Sequence, residues 1–399
     1  MFLNFKISNY RSIGDEIAVD FNIKDSQRLG SYAEVNDQVI NNIACLVGPN
    51  ASGKSNILSG IVYFLRWTQF SYSRPSRYTG GFTSHFSRNS SPTEFSIEFI
   101  DNKKQYKYEV SILDDIVQKE ILEKRDENTK RYSYIFSREA GNNISFGKTI
   151  KVNKQDTNRL GGEMSLLSLM LELNYFDKND FLTLNNFHTN INRVFLSLNN
   201  SFKINSISQR LQNNIILLDE LIEELKNIDT GISSIELKEN KKVFKDPDSG
   251  EIIRRNLFTI LTKHKIDNDE YLLSLQEESS GTMHYIETFI NLSTVLQTGG
   301  LFIIDELEQS LHPDLTNRII NSFMNKDKNP NNAQLLFTTH NPWFLQELTK
   351  TQIFIIEKND TAQTEITRLD EIAGVRNDEN YFVKYLAGEY DGRPKIREA

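Results

Sequence analysis

The chain of 399 residues contains one cysteine, Cys45. No intrachain disulfide can form, and no zinc cluster built on several cysteines is available. A reducing compartment permits such a chain without demanding it. No stretch approaches the roughly 18 apolar residues that a membrane-crossing helix needs. The opening MFLNFKISNYRS has no apolar run of the kind a secretory leader carries. The expectation is a cytoplasmic protein with no membrane partner. Base is not in surplus either: 46 Lys and Arg stand against 54 Asp and Glu, a net charge of −8. That excludes a chain coated with base for nucleic acid, although net charge does not report how the charge is distributed. Hydrophobic residues are 38% and charged residues 25%, a low apolar share. A core can form, but much of the surface must be polar. Internal repeats and low-complexity tails are absent. The length allows two or three structural units at roughly 100–200 residues each.

What the sequence does contain is ordered. FLNFKIS (2–8) and EIAVDFNI (16–23) read as strands. IACLVG (43–48) is a short apolar run ending in glycine, suited to a buried strand of a parallel sheet. NILSGIVYFLRW (56–67) has helical spacing, and 71–93 reads as a loop. EFSIEFI and QYKYEVSIL alternate apolar with polar and predict antiparallel strands, with further strands and loops over 117–160. From 163 to about 229 the pattern is helical, with ISQRLQNNIILLDELIEELKNI (207–228) as one long amphipathic helix, charged on one side. Strands return between 231 and 278, with a hairpin or loop tip at 245–251. The last third reads helix (281–297), buried strand LFIIDE (301–306), helix with proline near its start (313–326), buried strand AQLLFTTH (333–340), helix PWFLQELT and strand TQIFIIEK. This alternation is the rhythm of a parallel α/β sheet. The outline is a nucleotide domain split in sequence by a long middle section, about 95–270, inserted as a lid or arm.

GPNASGKS (48–55) fits G-x-x-x-x-G-K-[ST] between a predicted strand and a predicted helix. Glycines let such a loop curl so that the backbone N–H groups of Asn50, Ala51, Ser52, Gly53, Lys54 and Ser55 surround phosphate oxygens, with Asn56 just inside the helix. Lys54 would reach the β and γ phosphates of ATP, and Ser55 would offer its hydroxyl to Mg²⁺. Asp305, at the carboxyl end of LFII, fits the metal-holding acid of a neighbouring strand. Glu306 follows at once; in the next pleat position it can face the γ phosphate and polarise the attacking water. His340 ends the strand LLFTTH, 35 residues after Asp305. One helix and one strand lie between, so the two strand ends come side by side.

Together these pieces resemble the ABC-type ATPase heads of RecF, SMC proteins and OLD-type nucleases. ESSGT (278–282) stands where those families carry LSGGQ. It departs from that form but keeps a hydroxyl at Ser279 and a bare backbone at Gly281. The resemblance implies that this motif binds the γ phosphate held by another subunit, hence a homodimer with ATP sandwiched between heads, as a final state or as a block of a higher oligomer. NYRS (9–12) is similar to the N-terminal N-[FY]-[RK]-S element, in which Arg11 would touch nucleotide. ELEQSLHP (306–313) resembles the segment that crosses the dimer, around Ser310 and Leu311. The Q-loop glutamine has no good candidate, since Gln69 follows the P-loop helix too closely. The whole chain resembles the AAA15 or AbiLi-like ATPases, through NYRS, GPNASGKSN, ESSGT, DELEQSLHP, TTHNP and YLAGEYDGRP. What this implies is an α/β P-loop ABC-type ATPase head with a mixed sheet and an inserted helical/β arm. Residues 1–94 would form the N-terminal lobe, 95–270 the arm and 271–399 the C-terminal lobe. Such proteins are commonly encoded in antiphage defence systems such as AbiL, PARIS and Septu, where the ATPase acts as sensor or scaffold for a separate toxin or nuclease. The stretch beyond His340 is too short for the Toprim nuclease domain of OLD proteins, so nuclease activity within this chain is not expected.

The competing expectation is a RecF- or SMC-like repair ATPase that clamps DNA directly. Basic pairs at Lys124–Arg125, Lys130–Arg131, Lys241–Lys242 and Arg254–Arg255, and Arg74, Arg77 and Arg88 among Tyr72, Tyr78 and Phe82, have the composition of a nucleic-acid surface. They are equally what a solvated face looks like.

Overall fold

Apolar runs without charge become strands covered on both faces, and alternating runs become strands covered on one. The computed structural model describes residues 1–24, 30–78, 80–148, 150–176, 181–190, 200–228, 230–245, 252–266 and 269–392. Most of the expected loop tip at 245–251, the side chains of Lys241, Lys242, Arg254 and Arg255, and the last two residues of YLAGEYDGRP lie outside the described part.

Six strands come first: β1 (Phe2–Ser8), β2 (Ile17–Asp20), β3 (Asn22–Ile23), β4 (Tyr32–Val35), β5 (Gln38–Asn41) and β6 (Ile43–Val47). Helix α1 (Lys54–Phe70) leads to β7 (Thr93–Asp101), β8 (Lys104–Leu113), β9 (Ile116–Arg125), β10 (Tyr132–Glu139) and β11 (Asn143–Phe146). Then come α2 (Lys154–Thr157), α3 (Leu166–Glu172), α4 (Leu182–Asn185), β12 (Phe187–Asn190), α5 (Asn200–Asn213), α6 (Ile215–Asn227), β13 (Ile232–Lys245), β14 (Ile252–Ile266) and β15 (Asp269–Ser274). The last part holds α7 (Ser280–Thr298), β16 (Leu301–Ile304), α8 (Pro313–Met324), β17 (Gln334–Thr339), β18 (Ile353–Lys358), β19 (Thr364–Arg368) and α9 (Tyr381–Ala387). No described helix is long and apolar enough to cross a membrane. The chain divides into two compact units. The first is Met1–Val194 with Val295–Leu307 and Ile320–Ala399; the second is Phe195–Thr294 with Glu308–Ile319.

The first unit is α/β with a mixed sheet, as expected. Its six strands run in the order β12-β16-β17-β6-β18-β19. All neighbours are parallel except β18 and β19. Every residue of β6, β16 and β17 is buried. A seven-stranded antiparallel sheet, β11-β10-β9-β8-β7-β1-β2, forms a second layer, and β3-β5-β4 make a small third sheet. Helix α1 packs on the second layer: Phe64 stacks on Phe95 at 4.9 Å and on Tyr108 at 5.6 Å.

A buried ion pair ties that layer to α3. Glu120 and Arg138 are each at most 1% exposed, with Nη1 3.3 Å from Oε2. Glu120 also accepts the N–H groups of Leu166 (2.9 Å) and Leu167 (3.0 Å) and the hydroxyls of Tyr108 (2.8 Å) and Ser165 (3.0 Å). Burial, and then the Glu120 charge, pushes the Tyr108 phenol well above its ordinary pKa. Arg138 spends its remaining donors on Asn142 and on the carbonyls of Met164 and Gly161.

The second unit holds the antiparallel sheet β13-β14-β15 and helices α5 and α6. The single helix expected over 207–228 is two. Asn214 leaves helical geometry (φ −140°) and its side chain caps α6 by accepting the Leu217 N–H at 3.1 Å. After this break Leu217, Leu221 and Leu225 are buried while Ile215 is 70% exposed. A bidentate pair, Arg318 to Glu224 at 2.6 Å, joins the first half of α8 to α6. Two further differences are small: PWFLQELT forms a 3-10 helix over Pro342–Glu347, and β12 is a strand within the stretch read as helical.

Arg138→Met leaves the Glu120 carboxylate buried without its cation. The expected loss is roughly 3–5 kcal/mol, read as a lower urea midpoint of the fluorescence of Trp67 and Trp343. Adding Glu120→Gln is expected to recover part of it, because a neutral amide needs no counter-charge.

Candidate functional site

Three adjacent parallel strands end at one edge of the six-stranded sheet. The P-loop follows β6, Asp305 and Glu306 follow β16, and His340 follows β17. Carboxyl ends of parallel strands are where α/β sheets bind ligands.

The loop has its shape because its two motif glycines are crowded. A Cβ on Gly48 would stand 2.0 Å from the carbonyl oxygen of Ile356, and one on Gly53 (φ +111°) would stand 2.0 Å from Oγ1 of Thr364. Asn50 and Ala51 are exposed at the loop tip and Ser52 is buried beneath it. Helix α1 starts at Lys54 with no side-chain cap. Its first-turn N–H groups and its positive end are therefore directed to the loop, as anion binding requires.

Lys54 is 4% exposed. Its Nζ donates to the carbonyls of Gly48 (2.7 Å) and Pro49 (2.9 Å) and lies 3.1 Å from Nδ1 of His340. An ammonium can only donate, so Nδ1 is the acceptor and the proton of the neutral ring sits on Nε2. That nitrogen donates to Oε1 of Glu306 at 3.2 Å. On the other side, the Ser55 hydroxyl donates to Oδ1 of Asp305 at 3.1 Å. Lys54, Ser55, Asp305, Glu306 and His340, named from sequence, thus form one connected group. The Ser55 hydroxyl and the Asp305 carboxylate are hard oxygen donors of the kind Mg²⁺ takes together with phosphate oxygens.

Glu306 is not aimed by a strand pleat, as the sequence suggested. β16 ends at Ile304, and Glu306 has a left-handed backbone (φ 54°). Thr338 holds that turn. Its fully buried hydroxyl donates to Oδ1 of Asp305 and accepts the N–H of Glu306, both at 2.7 Å, while its carbonyl accepts the N–H of Leu307 at 3.0 Å. Reading from sequence missed Thr338; its place two residues before His340 in LLFTTH was the available signal.

The NYRS element reaches the loop through Ser12. The Ser12 hydroxyl accepts from Nδ2 of Asn56 (2.7 Å) and meets Oγ1 of Thr364 (2.8 Å), which donates to the carbonyl of Ser52 (2.9 Å). Arg11 has its guanidinium over the Tyr10 ring at 5.2 Å. Gln69 donates to the carbonyl of Leu184, a structural role. Ser279 and Gly281 belong to the second unit. Ser279 accepts the N–H of Thr282 at 3.0 Å at the start of α7, and a Cβ on Gly281 would be 2.7 Å from the carbonyl oxygen of Ser310. Within the second unit, ESSGT thus meets the chain at Ser310.

The profile of the family described as "AAA domain, putative AbiEii toxin, Type IV TA system" matches residues 43–345. That span runs from the start of β6 past His340. No curated protein matches the sequence. Among 63 matching chains of solved structure is the SMC head domain from Thermotoga maritima, 10% identical with a TM-score of 0.41. The likeness covers 92% of this chain and 98% of that one.

Thr338→Val removes the hydroxyl that fixes Asp305 and the Glu306 turn. The expected result is a ten- to hundredfold loss, roughly, in Mg²⁺ affinity, measured by Mg²⁺ titration of a fluorescent ATP analogue on the protein, with Thr338→Ser close to wild type.

Proposed function

The chain belongs to this AAA-domain family, and from its site we propose that it is an ABC-type ATPase that hydrolyses ATP to ADP and phosphate and controls a separate toxin or nuclease in a bacterial antiphage defence system. The observation that carries the catalytic part is the group at the three strand ends, in which Lys54 meets His340, His340 meets Glu306 and Ser55 meets Asp305. Lys54 and the loop N–H groups bind the β and γ phosphates. Ser55 and Asp305 hold Mg²⁺, which when bound neutralises charge on the phosphate oxygens. Glu306 orients the attacking water and accepts its proton. His340 fixes Glu306 through Nε2 and senses the γ phosphate through Lys54, because a phosphate competes for the ammonium that the ring now accepts from. Phosphoryl transfer asks mainly for positioning and charge stabilisation, which this group supplies.

The regulatory part rests on the family description, with its reference to a toxin–antitoxin system, and on the end-to-end motif resemblance. Ser279 and Gly281 would complete the ATP site of a second copy, so that ATP clamps two heads and turnover releases them. Arg11 would contact the nucleotide. Of the residues 95–270 expected as an arm, those of the second unit, from Phe195 on, would be the part whose movement changes how the partner is held.

The test is phosphate release and binding of a fluorescent ATP analogue by purified protein. Lys54→Ala is expected to abolish binding. Glu306→Gln is expected to keep binding and slow turnover by about 10²–10⁴-fold. Turnover that survives both substitutions would sink the reading. For the regulatory part, the product of the adjacent gene is expected to co-purify with Glu306→Gln in ATP and to be lost with Lys54→Ala; co-purification indifferent to both removes the switch.

A further inference from the structure

The seven-stranded sheet of the first unit carries a cavity of about 720 Å³ at the end away from β1. It shares no lining residue with the P-loop group. Lys104, Lys124 and Lys148 line it together with Tyr106, Tyr134 and Tyr175, and none of its described lining residues is Asp or Glu. This is notable in a chain with a net charge of −8. Tyr106, Lys124 and Ser133 form one cross-strand row, because Lys124 of β9 is opposite Tyr106 of β8 on one side and Ser133 of β10 on the other. The floor is apolar: the rings of Tyr106 and Phe181 are buried and 5.0 Å apart.

One strand is deformed at the cavity's rim. The register between β9 and β10 shifts between Tyr134 and Phe136, which leaves Ile135 as an extra residue. A bulge of this kind re-aims side chains and often stands beside a binding site. Phe136 is fully buried, whereas Tyr134 is 50% exposed. The bulge is braced by Gly147, whose N–H donates to the Ile135 carbonyl at 2.8 Å. A Cβ there would stand 2.4 Å from the carbonyl oxygen of Tyr134. The backbone thus closes on Tyr134 at a position only glycine fits, directly before Lys148.

We propose that this cavity binds a nucleotide unit, free or within a single strand, with its phosphate on the lysines and its base against the tyrosine rings. Asp126 stands close enough to Lys124 to feel its charge and Asp156 accepts from the Tyr175 hydroxyl, but neither lines the cavity. Three ammonium groups in such a lining attract a polyanion, though charge alone does not call for aromatic faces. Aromatic side chains beside a basic groove are what stacks bases without regard to sequence. The volume is in the range of small-ligand sites, roughly 300–1,000 Å³. The site works independently of ATP bound at the P-loop.

The test uses the full chain in the Lys54→Ala background, so that P-loop binding does not contribute. The probe is a fluorescein-labelled dodecamer of deoxythymidine, followed by anisotropy, with dTMP, inorganic phosphate and polyglutamate as competitors. Lys124→Glu with Lys148→Glu is expected to weaken binding by tenfold or more and to flatten its salt dependence. Tyr134→Ala is expected to cost about tenfold, within the range of one stacked base, and Tyr134→Phe to bind as before. Displacement by dTMP means a free nucleotide is the ligand; retention of the strand against dTMP means single-stranded nucleic acid; either supports the proposal. Absence of binding by both the dodecamer and dTMP, indifference to these substitutions, or displacement by phosphate or polyglutamate as readily as by dTMP overturns it. Phosphate release by the same lysine and tyrosine variants made with Lys54 intact separates this site's failure from that of the ATPase, since their turnover is expected to match wild type.

Discussion

The register of β17 against its two neighbours is the constraint on which the site depends. Ile304 pairs with Phe337 on one side and Thr339 with Val47 on the other. The next residues along each strand are therefore Asp305 beside Thr338 and Gly48 beside His340. A slip of one residue would turn every side chain of β17 to the opposite face. The Thr338 hydroxyl would leave Asp305, and the His340 ring would no longer stand between Lys54 and Glu306. The strand is pinned at its start as well. Gln334, fully buried, accepts the N–H of Phe2 at 2.7 Å and donates to the Phe2 carbonyl at 2.9 Å. The buried Gln334 amide and Thr338 hydroxyl thus hold both ends of a strand whose middle, Leu335–Phe337, is apolar. A buried polar group without its partner is costly, so these two residues exclude neighbouring registers that the apolar ones would tolerate.

The same logic joins the two layers of the first unit. Gln334 links the parallel sheet to β1, and Ser12, just after β1, reaches Asn56 and Thr364 at the P-loop. Glu120 and Arg138 fasten the far part of the antiparallel sheet to α3. The antiparallel layer is therefore more than a cover for α1. It is joined to the hydroxyl that meets the loop's helix at Asn56 and β19 at Thr364.

Much of this was legible because chemistry sat at the ends of apolar runs. IACLV, LFII and LLFTT are each too short and too apolar for an exposed element, so their order in the chain and the residues that follow them located the sheet edge and the acid pair. The break at Asn214 was hidden because an asparagine inside an amphipathic pattern is tolerated by periodicity, and only capping geometry makes it a start. Thr338 was hidden because a threonine in a strand fits β-propensity without further cause. The turn at Glu306 was hidden because nothing in DEL signals a left-handed residue. Ser12 was overlooked beside the charged Arg11, since charge is the louder signal for phosphate, while its hydroxyl is the group that meets the loop.

Thr364 donates to the carbonyl of Ser52 across 312 residues of chain, and β6 lies between β17 and β18, both near the other end of the sequence. At ~5–20 residues per second, synthesis takes roughly 15–60 s to travel that far. For most of that interval the glycine-rich loop lacks its flanking strands, and for all of it the side chain that crowds Gly53 into shape. The ribosome therefore releases a polypeptide in which nucleotide binding and completion of the sheet arrive together. A truncated nascent product has the phosphate-binding sequence without a phosphate-binding site.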